Sequence, residues 1–364
     1  MADLASRALG YVILGISATQ AVLQFGDMGQ AVLLIEKRSG RAVSYSGVFW
    51  QTIFLVLLVL GGGALCIAVG WLSLAPGAAL GAGLLAGAAA SADRLRSIES
   101  SVRGDLVRSY LLISSWTNSP KIGLILGAAI FGGATWPLFL AVVTAVASLR
   151  VPPPLSGSGV RNLGRFRSYG PAAICLATGW ALSWIDVYVV ASASGLSAAA
   201  GYGLASRGAA AVSYVYNPFD AMVVARVNEH GILGCRRPLV FAITLAMTAS
   251  SVFLSITWFL IRPEVQILQR LGSGTLIVLS MTPVVASISL VCGTTLKVLR
   301  RTPAVARSGV IAVGVEAAAL AIFVPMLGTL GAALAAFTGM LVSASSQGII
   351  VLKLRWRTGF ANAA

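Results

Sequence analysis

Apolar residues fill eleven long stretches of this chain, and polar residues gather in the gaps between them. The stretches lie near residues 8–31, 47–71, 75–92, 110–131, 135–150, 171–191, 198–222, 238–261, 273–296, 308–327 and 330–352. Most approach the roughly 20 residues that a helix needs to cross a roughly 30 Å hydrocarbon core. A helix also satisfies its own backbone hydrogen bonds, which lipid cannot do. The pattern therefore predicts an all-α, polytopic membrane protein.

The gaps alternate in charge. Lys37, Arg38 and Arg41 follow the first span, and Arg94, Arg96, Arg103 and Arg108 follow the third. Arg150, Arg161, Arg165 and Arg167 follow the fifth, and Arg226, Arg236 and Arg237 the seventh. Lys297, Arg300, Arg301 and Arg307 follow the ninth, and Lys353, Arg355 and Arg357 the last. This places 21 of the 26 cations on one side, with only Arg7, Arg262 and Arg270 in the gaps on the other. By the positive-inside rule the crowded side is cytoplasmic and the N-terminus is outside. The opening Met1-Ala2-Asp3 has no strongly basic region, so the first stretch does not read as a secretory signal. An outside N-terminus and an odd span count point to one helix missing ahead of residue 1. A true outside N-terminus is the alternative.

Composition sharpens the class. The chain is 57% hydrophobic and 10% charged, with a mean hydropathy of +0.89. A soluble domain could not cover that much apolar surface. The net charge of +15 sits at span ends and not on one soluble basic face, so nucleic acid is excluded as a partner. Cys66, Cys175 and Cys292 lie in apolar segments and Cys235 in a basic loop, with no metal or disulfide spacing. His230 lies in a basic loop and reads as solvated. The Pro/Gly/Ser segment from Val151 to Gly159 reads as a linker. It divides an N-terminal bundle (1–150) from a cytoplasmic linker (151–170) and a C-terminal six-helix bundle (171–364). Weak resemblances between the halves would suit two parallel bundles about a central cavity. Small-residue runs at Gly77–Gly83 and Gly331–Ala336 favour close helix packing.

Six ionisable residues interrupt the spans: Asp27, Lys121, Asp186, Arg207, Asp220 and Glu316. Such groups are costly in a bilayer and usually face a cavity or a partner. Arg207 lies about nine residues into its span, roughly 14 Å from the outer end. Lys121, beside Asn118 and Pro120, and Glu316 are similarly deep. One reading is a hydrophilic pocket in which Arg207 and Lys121 attract an anion, while Asp186, Glu316 and Asp27 balance charge or carry a coupling cation. The other is a set of structural ion pairs, such as Asp186 with Arg207. Asp220 and Asp27 lie nearer the cytoplasmic ends. Pro120 and Pro218 are expected kinks. Trp180, Trp184, Tyr188, Tyr202, Tyr214 and Tyr216 could line a sugar path or anchor at the interface.

Three segments resemble the polysaccharide and oligosaccharide flippases of the multidrug/oligosaccharidyl-lipid/polysaccharide (MOP) exporter superfamily. Phe25-Gly26-Asp27-Met28-Gly29-Gln30-Ala31 looks like the Asp-x-Gly end of that family's second helix. Asp186-Val187-Tyr188-Val189-Val190, then Gly195 and the stretch from Ala200 to Arg207, look like its seventh and eighth helices. The stretch from Val324 to Ala333 is similar to its Pro-x-x-Gly-x-x-Gly-Ala-Ala turn before the last helix.

The resemblance implies two six-helix bundles around a central cavity, with this chain beginning at the family's second helix. It implies a non-enzymatic transporter in the cell (inner) membrane. That transporter would flip an undecaprenyl-pyrophosphate-linked oligosaccharide to the outer leaflet by alternating access, for surface polysaccharide biosynthesis. Its expected partners are the lipid-linked oligosaccharide, membrane lipid and a polysaccharide polymerase. No cofactor is expected, with Na+ or H+ as the candidate coupling ion. Two alternatives stay open: a cation-coupled exporter of small molecules or drugs, and a membrane glycan polymerase or acyltransferase. The short external connections weigh against the latter.

Overall fold

The computed structural model describes residues 166–361 apart from 217–218 and 262–265, together with the isolated positions Ile13, Leu57 and Leu84. Asp27, Lys121, Pro120, Pro218, the Val151–Gly159 linker, the Gly77–Gly83 run and the first five predicted spans lie outside the described residues. Residues 181–364 belong to one compact unit.

Every described element is helical, as apolar segments without a sheet partner require. In chain order they are α1 (Phe166–Ala211), α2 (Ser213–Tyr216), α3 (Phe219–His230), a 3-10 turn (Gly231–Cys235) and α4 (Arg236–Ile256). Then come a π-helical turn (Thr257–Ile261), α5 (Gln266–Gln269), α6 (Ser273–Val298), α7 (Thr302–Leu327) and α8 (Thr329–Ala361). Five segments are long and apolar enough to cross a membrane, beginning at Gly170, Met222, Ser273, Thr302 and Thr329. Six predicted spans fall within or across these helices, because α1 holds one span and most of the next.

The 46 residues of α1 are not a single rod. Gly195 takes φ 83° and ψ 169°, which a residue with a Cβ rarely adopts. Two contacts bracket it almost symmetrically. Tyr202 bonds Asp186, and Arg207 bonds the carbonyl of Ser183. The chain therefore doubles back at Gly195, and α1 is a hairpin of two arms.

The second arm departs from the expected 198–222 span by stopping at Ala211. There Val212 N–H turns to the carbonyl of Ala209, and Val215 N–H to that of Val212. Pro218, two residues after α2 in the sequence, has no N–H to extend a helix.

A second hairpin joins α7 to α8 at Gly328 (φ 57°). Its close approach depends on Gly331, where a Cβ would come within 2.1 Å of the Phe323 carbonyl oxygen. Ala332, Ala333 and Ala335 are wholly buried beside it, so this small-residue run is a packing surface. Helix α8 also packs along α6, and α6 along α4. Between α6 and α8, Ser289 meets Ser343 at 3.1 Å and donates to Gln347 at 3.3 Å. Large apolar side chains such as Phe259 (73% exposed) and Met326 (75%) point outward. In water this would be an aggregation surface, whereas lipid solvates it.

The connections carry the charge alternation into space. Arg226, Arg236 and Arg237 precede or open α4. Lys297, Arg300 and Arg301 join α6 to α7, and Lys353 and Arg355 close α8. Successive crossings put these three groups on one side and the Gly195 and Gly328 turns on the other.

Candidate functional site

Asp186 and Arg207 come together because the α1 hairpin folds one arm onto the other. Arg207 is twelve residues from Gly195, roughly 18 Å along the helix, and Asp186 is nine residues away, roughly 14 Å. Both therefore lie near the middle of a roughly 30 Å hydrocarbon core. They line a cavity of about 160 Å³ with Ser183, Ser206 and Ser213 from the start of the unit. Thr282, Pro283 and Ala286 of α6 and Ala336 and Met340 of α8 complete much of its wall.

The charged groups are held in different ways. Asp186 is 3% exposed and accepts hydrogen bonds from the Tyr202 hydroxyl (2.6 Å) and from Val187 N–H (2.8 Å). The Arg207 guanidinium donates to the Ser183 carbonyl. Its face lies over the Trp184 ring, 3.5 Å from the centroid. Stacking on an aromatic fixes the plane of the guanidinium and so the direction of its N–H donors. The aromatics expected along a sugar path thus have another role where they are buried. Trp184 (2% exposed) and Tyr202 (0%) support the two charges.

Glu316 lies behind this wall on α7, wholly buried (0%). Among the described residues neither carboxylate oxygen has a hydrogen-bond partner. It is twelve residues from the Gly328 turn, so it shares the depth of Arg207. Gly339 of α8 makes its room: a Cβ there would stand 2.7 Å from Glu316 Cβ and 3.1 Å from Leu182 Cδ2. Leu182 is one turn before Asp186, so Glu316 sits against the same helix arm that carries the cavity carboxylate.

Gly339→Ala should lower stability by about 1–3 kcal/mol, the usual cost of overpacking, because Glu316 Cβ is fixed to its helix and cannot yield. Thermal unfolding of the purified protein measures this, and an unchanged midpoint would contradict the close fit.

The structure thus brings together Asp186, Arg207 and, one layer back, Glu316. Lys121 and Asp27 lie outside the described residues. Asp220 is apart from this group, in the first turn of α3, where it accepts a hydrogen bond from Thr294 of α6. His230 is exposed as expected and faces Glu229 at 3.7 Å, but it is the last residue of α3 and not part of a loop. Among the described residues no cluster of His, Cys, Asp and Glu could hold a metal ion in the usual way. The hydroxyl lining of Ser183, Ser206, Ser213 and Thr282 was not anticipated. Serines and threonines in Ala- and Gly-rich helices carry no positional signal until the turn at Gly195 pairs the arms.

No protein-family model matches this chain, and no curated protein sequence matches it. Solved structures do. A mutant of the Vibrio cholerae MATE transporter VcmN superposes with a TM-score of 0.59 at 12% identity, over 97% of this chain and 89% of that one. An inward closed conformation of the lipid II flippase MurJ gives 0.57 at 12% identity, over 96% and 86%. An inward-facing multidrug resistance MATE transporter of the MOP superfamily gives 0.55 at 15% identity, over 100% and 96%. With apolar crossing helices, one-sided cationic connections and this superposition, the chain is a multi-pass membrane protein with the fold of the MOP-superfamily transporters.

Proposed function

We propose that this chain is a transporter that flips an undecaprenyl-pyrophosphate-linked oligosaccharide to the outer leaflet of the cell inner membrane by alternating access, supplying surface polysaccharide biosynthesis. The observation that carries the reading is Arg207, a guanidinium at mid-membrane depth on the wall of a hydroxyl-lined cavity. A planar fork of donors suits the paired oxygens of a diphosphate. The hydroxyls of Ser183, Ser206, Ser213 and Thr282 can add donors to the same anion. The polyprenyl tail stays in lipid, so the protein need shelter only the polar end. The name of MurJ, a lipid II flippase, supports a lipid-linked cargo on this fold.

In this reading Lys121 contributes a second cation, and Asp186, Glu316 and Asp27 balance charge or carry Na+ or H+. A polysaccharide polymerase is the natural partner on the outer side, where the units are consumed.

A deletion strain should accumulate lipid-linked glycan in the inner leaflet. Mass analysis of these lipids, split by accessibility to a membrane-impermeant reagent, reads this directly. Unchanged leaflet distribution would remove the proposal.

A second reading, a cation-coupled exporter of small molecules or drugs, is favoured by the buried carboxylates Asp186 and Glu316 and by the multidrug resistance MATE transporter among the structural neighbours. It predicts altered drug susceptibility in the deletion strain with normal glycan export.

A further inference from the structure

Helix α4 has two unlike faces. Pro238, Ala242, Ala246 and Ser250 recur every four residues and are buried. The other face is open. At 100° per residue, Arg237, Thr244, Thr248, Ser251 and Ser255 fall within about 40° of one line. All five are exposed. Each of the four hydroxyls donates to the carbonyl four residues back, at 2.9–3.0 Å. Their polar atoms are thereby satisfied against the helix, and the line presents small side chains outward.

Larger apolar side chains flank this line. Val240 and Met247 stand on one side, and Phe241 and Val252 on the other, each more than half exposed. The result is a shallow trough along α4. From Arg237 to Ser255 it runs roughly 27 Å, close to the depth of the hydrocarbon core.

The cytoplasmic end of the trough opens into a groove of about 500 Å³ lined by Arg236, Arg237, Val240, Phe241 and Thr244. Among the described residues neither arginine side chain has a hydrogen bond or an ion pair, while Glu229 faces His230. Two unpaired guanidiniums thus stand where an apolar channel meets the headgroup layer.

We infer that the exposed face of α4 binds an anionic glycerophospholipid, with its phosphate on Arg236 and Arg237 and an acyl chain along the trough. Charge complementarity selects the headgroup, because paired cations at the cytoplasmic interface attract anionic lipid. The length and apolar flanks of the trough select a chain-bearing ligand over free phosphate. This site is separate from the cavity at Arg207 and does not depend on what that cavity carries.

Native mass spectrometry of the full chain tests the inference. The probe is an equal mixture of phosphatidylglycerol and phosphatidylcholine with the same acyl chains. Preferential retention of phosphatidylglycerol is expected. Arg236→Gln with Arg237→Gln should weaken that retention about 30-fold, and Thr248→Trp should weaken it with both cations intact. Arg301→Gln with Arg307→Gln, on the same side of the membrane, should leave it unchanged. Equal retention of the two lipids, or equal loss in both arginine pairs, would overturn the site. So would a dimer that Thr248→Trp abolishes without changing lipid retention, which would assign the trough to a second copy of this chain.

Discussion

Replacing Glu316 by methionine should make the protein more stable and stop the transport proposed for it. Both effects follow from one observation: a wholly buried carboxyl group on α7 with no hydrogen-bond partner among the described residues. A buried polar group left unpaired costs about 1–3 kcal/mol. Methionine has similar reach and no polar atoms, so the variant should gain about that much in a thermal or chemical unfolding measurement. An unpaired carboxyl group at the depth of Arg207 and against the arm bearing Asp186 fits the coupling role proposed for it. Glycan export in Glu316→Met should therefore fall to the level of a deletion strain, and Glu316→Gln should behave alike in export. Normal export in both variants would leave Glu316 without a coupling role. A loss of stability in Glu316→Met would show that the carboxyl group is structurally satisfied.

Arg207→Ala should abolish most surface glycan while protein abundance stays normal. The guanidinium provides a positive charge and a planar set of donors, and its face is held by Trp184. Losing a desolvated charge that contacts an anion costs about 2–5 kcal/mol in comparable interfaces. The expected loss of transport is accordingly on the order of 100-fold. Arg207→Lys separates charge from geometry. Lysine keeps the charge but loses the fork and the flat stacking face, so it should recover only part of the activity. Unchanged glycan export in Arg207→Ala would end the role proposed for this residue.

These two residues show how far the chain can be read unaided. Arg207, Asp186 and Glu316 were each visible as charges inside apolar spans, because hydrophobic periodicity is a local property and an ionisable interruption stands out. Their separate environments were not visible. The option of a simple Asp186–Arg207 structural pair did not allow for Tyr202 bonding Asp186 or Trp184 stacking on Arg207. Those contacts span 16 and 23 positions in the chain. They exist only because Gly195 reverses α1, and the exact reversal point decides which side chains face each other.

The same holds for length. The span at 273–296 was read to within two residues and the end of 308–327 was met, though that helix begins six residues earlier at Thr302, since a bilayer fixes how long an apolar helix must be. The span at 198–222 was not, because the break at Val212 arises from local hydrogen bonding that hydropathy does not register.

The sequence by itself determined that this is a membrane protein, which ends of the described helices carry the cationic clusters, and which charges are out of place. Each follows from free energies of transfer and from charge at span ends, which depend on residue type and position alone. Only the tertiary structure decided that Arg207 and Asp186 share one cavity, that Glu316 is unpaired behind it, and that the exposed face of α4 forms a trough below two arginines. Those are relations between side chains on different helices or on a particular helix face. They depend on where the hairpins turn and how closely residues such as Gly339 and Gly331 let the helices approach.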